Sequence, residues 1–281
     1  MRDDRPVRRS WEGAAMAWTE RAVVRDGVRL VCRDWAGTGT PVVLLHGLAG
    51  YAGEWDVLAG ELSAGHRVVA VDQRGHGGST RRPDDLSRAA HVADVVAVVR
   101  ELGLDRPALI GQSLGGHTAM LTAAAHPDLI RALVLVEAAP GDASPQTPKD
   151  IGAWLDSWPV PFPSRAAAAE FFGGGPAGQG WAAGLEEVGD GLRPRFDADV
   201  MVASLAETGE RGFRGEWLQV RCPTLAVFGQ SSFVPAADVD EMLARRPGTW
   251  AASVPGTGHD LHLERPQALY AVVREFLGSL K

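Results

Sequence analysis

Two kinds of apolar pattern alternate along this chain. Apolar runs at 41–45, 67–71, 108–110, 132–136 and 224–228, two of them opened by Arg67 and Thr224, have strand length and no alternating polar face, as strands covered on both sides require. Between them apolar residues recur at helical spacing. The stretch 87–102 carries Ala89, Val92, Ala93, Val96, Val99 and Leu102 on one stripe, and Gly103 closes it as a C-cap. Further helices are predicted over 55–62, after residue 113 as far as Ala125 with Pro127 as the stop, over 236–245 and over 267–280, with a short strand at 250–254. Upstream, 21–25 and 28–35 read as two strands around Asp26-Gly27, a dipeptide that favours a tight hairpin. A hairpin followed by alternating strands and helices predicts an α/β fold, with a mostly parallel, doubly wound sheet and helices on both faces.

The stretch 140–217 breaks that alternation. It holds Trp154, Trp158, Phe162, Phe171, Phe172, Trp181 and Trp217 around a glycine-rich run at 173–180. Linkers rarely carry so many large aromatics, so it reads as a helical insertion over the carboxyl edge of the sheet. Its aromatics either pack the insertion's own core or line a pocket. The expected organisation is a core of 21–139 and 218–281 with the insertion at 140–217 between its halves. Residues 1–20 show no periodicity, and the first ten hold four Arg and two Asp with no apolar segment following. They are expected to form a disordered leader and not a secretory signal.

Composition narrows the functional classes. With 45% hydrophobic and 22% charged residues, the 281-residue chain has ample apolar surface to fold. A net charge of −7 gives no electrostatic case for binding nucleic acid or an anionic membrane surface. No run approaches the ~18 apolar residues that a membrane span needs. Cys32 and Cys222 are the only cysteines, too few for a disulfide framework or a zinc site, and a cytoplasmic location is expected. The 173–180 run lacks the Lys-Ser/Thr of a phosphate loop and no dinucleotide fingerprint occurs, so no cofactor is expected. His259 and His262 stand three apart, but no carboxylate–histidine motif accompanies them and no metal site is assigned. The expected partner is a small-molecule substrate.

The candidate chemistry centres on Gly111-Gln112-Ser113-Leu114-Gly115, directly after an apolar strand and before a helix. A serine on a strand-to-helix turn is forced into a strained backbone, and glycines two positions to either side make room for it. The helix start behind it offers N–H groups and partial positive charge to a developing oxyanion. His46-Gly47-Leu48 ends another apolar run, where a loop amide can supply a second donor. Gly256-Thr257-Gly258-His259 follows the last predicted strand, and a loop histidine there can reach Ser113 as general base.

These segments, together with the Asp72-to-Ser79 loop Asp-Gln-Arg-Gly-His-Gly-Gly-Ser, occur in the order seen in the α/β-hydrolase superfamily, which the chain resembles from Arg21 onward. The resemblance implies Ser113 as nucleophile, His259 as base, an oxyanion hole from the N–H groups of Leu48 and Leu114, and residues 140–217 as a cap over the site. The sequence departs from that pattern at the triad acid. Many relatives carry an Asp after the strand at 224–228, but here Ser232 stands at that place, and a serine holds no counter-charge against an imidazolium. Glu137, immediately after 132–136, takes a position used by some superfamily members, including haloalkane dehalogenases, and residues just past a strand's carboxyl end face the crevice. Asp238 or Asp240, both on the following predicted helix, and the absence of any working acid are the alternatives.

A serine nucleophile selects carbonyl substrates. Attack on a carbonyl gives an acyl-serine that water can cleave, whereas attack on a halide or epoxide carbon would leave an ether. The leading expectation is hydrolysis of an ester, lactone or thioester with an apolar part, bound against Trp154, Trp158, Phe162, Phe171, Phe172 and Trp181. The alternatives are a ligand-binding or accessory protein with a decayed triad, and a non-hydrolytic acyl transfer, cyclisation or carbon–carbon cleavage on the same site.

Overall fold

Asp26 and Gly27 take positive φ values of 49° and 79° and turn the opening hairpin, as their side chains favour. In the computed structural model, which describes residues 18–280, β1 (Thr19–Arg25) pairs antiparallel with β2 (Val28–Trp35). The first strand therefore starts inside the stretch expected to be a leader. Trp18 packs against Trp35 and beneath the Arg33 guanidinium, which gives the start of the strand an apolar anchor. The rest of that expectation, residues 1–17, lies outside the described residues.

The apolar runs become β3 (Val42–Leu45), β4 (Val68–Asp72), β5 (Ala108–Gln112) and β6 (Ala132–Val136), each buried along its whole length. Connecting them are α1 (Asp56–Leu62), preceded by a 3-10 turn, α2 (Arg88–Glu101) and α3 (Leu114–Ala125). Ser87 caps α2 by accepting the Ala90 N–H at 3.1 Å. Then come α4 (Thr147–Asp156), α5 (Arg165–Phe171), α6 (Gly175–Ala183), β7 (Glu186–Val188), β8 (Gly191–Arg193), α7 (Ala198–Ala203), α8 (Ala206–Glu210) and α9 (Arg214–Gln219). The chain returns through β9 (Thr224–Gly229), α10 (Ala236–Arg245), β10 (Trp250–Val254), α11 (Leu261–Glu264) and α12 (Pro266–Ser279).

The eight-stranded sheet has the order β1-β2-β4-β3-β5-β6-β9-β10. Strands β1 and β2 run antiparallel to their neighbours, and β4, β3, β5, β6, β9 and β10 are mutually parallel. Period-2 alternation assigns the two faces. Val43, Leu45, Leu109 and Leu133 meet α2, α3, α9 and α10, while Val42, Leu44, Ile110 and Val134 meet α1 and α12. Cys32 on β2 and Cys222 ahead of β9 are buried free thiols.

The insertion departs from expectation in three places. Residues 186–193 form a small hairpin whose three-residue strands are too short and polar to leave an alternating pattern. The glycine-rich run is largely helical: it contributes the first turns of α6, and a Cβ on Gly178 would lie 2.4 Å from the Ala169 carbonyl oxygen, so the glycine lets α5 and α6 approach closely. Phe213 and Trp217 belong to the main core beneath the sheet, so the expected boundary at 217/218 falls inside α9. Trp217 donates its indole N–H to the Met242 carbonyl at 2.9 Å.

Buried polar groups brace the loops that follow β3 and β4. Asp72 accepts the Ala52 N–H at 2.6 Å and the Gly78 N–H at 2.8 Å. Arg74, buried, grips Asp94 of α2 with Nε at 2.6 Å and Nη2 at 2.7 Å, and Arg25 adds a third contact at 2.9 Å. Asp94→Ala would leave the Arg74 cation buried and unpaired, at a cost of about 3–5 kcal/mol. A large fall in the urea midpoint is the expected result; an unchanged midpoint would show that this pair does not hold the loop.

Candidate active site

Strand β5 ends at Gln112 and α3 begins at Leu114, leaving Ser113 alone at the junction with φ 50° and ψ −121°. That conformation is costly for a residue with a side chain, and it is held by close packing around the turn. A Cβ on Gly111 would lie 2.3 Å from the Gly115 carbonyl oxygen, and one on Gly115 would lie 2.3 Å from the carbonyl oxygens of Leu45 and His46. The motif glycines are thus the condition for strand, turn and helix to fit together. Ser113 N–H donates to the Val136 carbonyl at 3.0 Å, tying the turn to β6. The Ser113 hydroxyl is half-exposed and has no hydrogen bond among the described residues.

Two backbone donors are open beside it. Neither the Leu48 nor the Leu114 N–H meets a protein acceptor among the described residues. Two buried histidines hold the Leu48 loop. His46 Nε2 accepts the Gln73 N–H at 3.0 Å and its Nδ1 donates to the Gly47 carbonyl at 2.7 Å. His76 Nε2 accepts the Ala49 N–H at 3.1 Å and its Nδ1 donates to the Arg74 carbonyl at 2.9 Å. Burial pushes both imidazoles down, to about 4 for His46 and about 3 for His76, so they stay neutral and can play these mixed donor–acceptor parts.

Glu137 follows β6 and, like Ser113, is a non-glycine residue with φ 50°. Its carboxylate reaches across the end of β9 and is 2% exposed. One oxygen accepts the Gly229 N–H at 2.6 Å; the other accepts the Phe233 N–H at 2.9 Å and lies 3.3 Å from His259 Nδ1. Burial raises this carboxyl, but the hydrogen bonds from His259, Gly229, Phe233 and Ser232 outweigh it and hold Glu137 below the usual carboxylate range. Ser232 is therefore a neighbour of the acid. Asp238 and Asp240 lie on α10, neither hydrogen-bonded to His259, and Asp238 is 4.0 Å from Arg214.

His259 follows β10 on a loop held by Glu264, which accepts the Gly258 N–H at 2.9 Å. The Gln112 amide Nε2 donates at 3.1 Å to His259 Nε2 and at 3.1 Å to the His259 carbonyl. With Nε2 accepting, the imidazole proton sits on Nδ1 and faces Glu137, which is the tautomer a general base needs. The structure thus brings Ser113, His259 and Glu137 to one end of the sheet, with Gln112 occupying the Nε2 lone pair at rest. Gln112 was not singled out from the sequence; its only signal was its place just before Ser113.

A narrow crevice lies between the core and residues 140–217 near this end of the sheet. Ala49, Gly50, Tyr51 and Glu54 line it from the core, and Trp158, Trp181, Leu185, Arg195 and Phe196 from the insertion. Trp181 donates its indole N–H to Asp260 at 2.9 Å, next to His259. Of the six aromatics expected to contact substrate, Trp158 and Trp181 face the crevice. Trp154, Phe162, Phe171 and Phe172 form an edge-to-face cluster with them, with Trp154 and Phe172 centred 5.1 Å and 4.7 Å from Trp158, and lie outside the lining. His262 turns from His259 toward the buried Glu54, 3.4 Å away. No helix among the described residues is long and apolar enough to cross a membrane.

Residues 40–170 match the family model described as the alpha/beta hydrolase fold. The chain is 29% identical to the mouse (Mus musculus) sn-1-specific diacylglycerol lipase ABHD11 over 87% of its length and 83% of that protein. It is 26% identical to esterase YbfF of Escherichia coli over 85% of its length and 94% of that protein. The crystal structure of E-2-(acetamidomethylene)succinate hydrolase superposes with a TM-score of 0.85, covering 93% of this chain and all of the other at 24% identity, a likeness of fold. The strand order, the serine turn after β5 and these relatives agree: the chain belongs to the α/β-hydrolase superfamily and is a hydrolase.

Proposed function

We propose that the protein is a serine hydrolase of carboxylic esters, lactones or thioesters that works through an acyl-serine, with the insertion as a cap over the site. The observation that carries this reading is the strained Ser113 at the strand end where its neighbour Gln112 holds a histidine whose Nδ1 lies 3.3 Å from the buried Glu137. Ser113 Oγ attacks the substrate carbonyl carbon and its proton passes to His259 Nε2, which exchanges the Gln112 amide for the hydroxyl when substrate enters. The N–H groups of Leu48 and Leu114 receive the oxyanion. His259 then protonates the leaving alcohol or thiol, and a water deprotonated by the same nitrogen cleaves the acyl-serine. Glu137 holds the tautomer and balances the imidazolium, a role for which its lowered pKa suits it, because it stays charged.

The names of the relatives, a diacylglycerol lipase and an esterase, agree with ester chemistry. Trp158 and Trp181 give the crevice apolar walls suited to a substrate with an apolar part. The direct test is intact-mass measurement after treatment with a fluorophosphonate. One adduct per chain is expected, and folded protein that takes none would remove the serine mechanism.

A further inference from the structure

The crevice contains a cation with no counter-charge. Arg195 lines it, half-buried, and donates Nε to the Gly184 carbonyl at 2.9 Å. Its guanidinium stands 5.0 Å from the centre of the Tyr51 ring. Neither Nη nitrogen meets an acceptor, and no carboxylate lies within ion-pair distance, among the described residues. Arg81, which contacts the same segment, and Arg82 beside it each face a carboxylate. Two donors left free on a half-buried guanidinium are an open invitation to a planar, charged acceptor.

The surrounding structure is built to hold that guanidinium still. Arg81 donates to the carbonyl oxygens on both sides of it, Pro194 at 3.0 Å and Phe196 at 2.9 Å. Arg81 is itself fixed by Asp197 at 2.7 Å and Glu186 at 2.9 Å. The Tyr51 ring that supports the guanidinium is tied through its hydroxyl to the Gly180 carbonyl at 3.4 Å. Glu54, the acid on the crevice wall, is turned to His262 at 3.4 Å and makes no ion pair with Arg195. The crevice adjoins the candidate site: Ala49 on its core wall follows the Leu48 donor, and Trp181 on the facing wall donates to Asp260, the residue after His259.

We propose that Arg195 anchors a carboxylate at the far end of the substrate's acyl chain, so that the enzyme selects half-esters of dicarboxylic acids over neutral esters. This rests on the serine hydrolase reading above. A fork of two N–H groups suits a carboxylate, and Trp158 and Trp181 suit the methylenes between it and the scissile carbonyl.

The test compares kcat/KM for 4-nitrophenyl half-esters of glutaric, adipic and pimelic acids with the neutral pentanoate, hexanoate and heptanoate. The protein is expected to favour the acid of at least one chain length. Arg195→Met should lower the acid-to-neutral ratio at that length roughly 10- to 100-fold, the worth of a hydrogen-bonded charge, and Arg195→Lys should restore part of it. Preference for the neutral ester at every length, or a ratio unmoved by Arg195→Met, overturns the proposal. If neither ester class is turned over, the hydrolytic reading is what fails. Calorimetric titration with adipate then decides the site: heat lost in Arg195→Met supports it, and no heat with the unaltered protein ends it.

Discussion

Ser113→Ala is expected to abolish the phosphonate adduct and ester turnover together, with kcat falling roughly 10⁴-fold or more. The residual rate would come from the open N–H groups of Leu48 and Leu114, which the substitution leaves in place. The variant is also a clean one. The Ser113 hydroxyl makes no hydrogen bond among the described residues, and alanine meets the same backbone strain, so the unfolding midpoint should stay within about 0.5 kcal/mol of the parent. Glycine relieves the strain at φ 50°, so Ser113→Gly should be as inactive yet about 1 kcal/mol more stable. An adduct that persists in Ser113→Ala would put the nucleophile elsewhere.

Glu137→Gln should lower kcat about 10⁴-fold, since an amide neither balances the imidazolium nor holds the tautomer that leaves Nε2 free. It should also cost about 1–3 kcal/mol of stability. The carboxylate accepts the Gly229 and Phe233 N–H groups with opposite oxygens, and a glutamine must turn an NH₂ toward one of them. Acid should reveal the same group. Its folded pKa is depressed, so its stabilising contribution is complete above the unfolded value and is lost as pH falls through the folded one. The stability gap between parent and Glu137→Gln should therefore close on acidification, as urea midpoints across a pH series would register. A purely structural role predicts no electrostatic rescue. Adding Ser232→Asp to Glu137→Gln returns a carboxylate beside the same histidine, and recovery of kcat by the double variant is expected. Full activity in the single variant would dismiss Glu137 as the acid.

Much of this architecture is legible locally. The run at 132–136 corresponds to β6, because a strand buried on both faces has no position that tolerates a polar residue. Asp26-Gly27 turns the hairpin since those residues tolerate positive φ, and Ser113 stands out because the close packing at Gly111 and Gly115 admits no side chain. The insertion was less readable. The residues 186–188 and 191–193 pair through their backbones and leave no apolar period to detect. Trp217 was grouped by proximity in sequence with aromatics from which the fold separates it, since α9 belongs to the main core.

The main strands, their helices, the serine turn and the carboxylate at the end of β6 are each written in neighbours two to four residues apart. What joins them is set by contacts between distant parts of the chain. Glu137 meets His259 across 122 residues of chain, and Gln112 meets it across 147. The Arg195 segment is clamped by Arg81 from 113 and 115 residues away. Such contacts depend on where whole elements come to rest, and no local spacing encodes that; once β5, β6 and β9 lie side by side, the carboxylate from one strand end can serve the histidine beyond another.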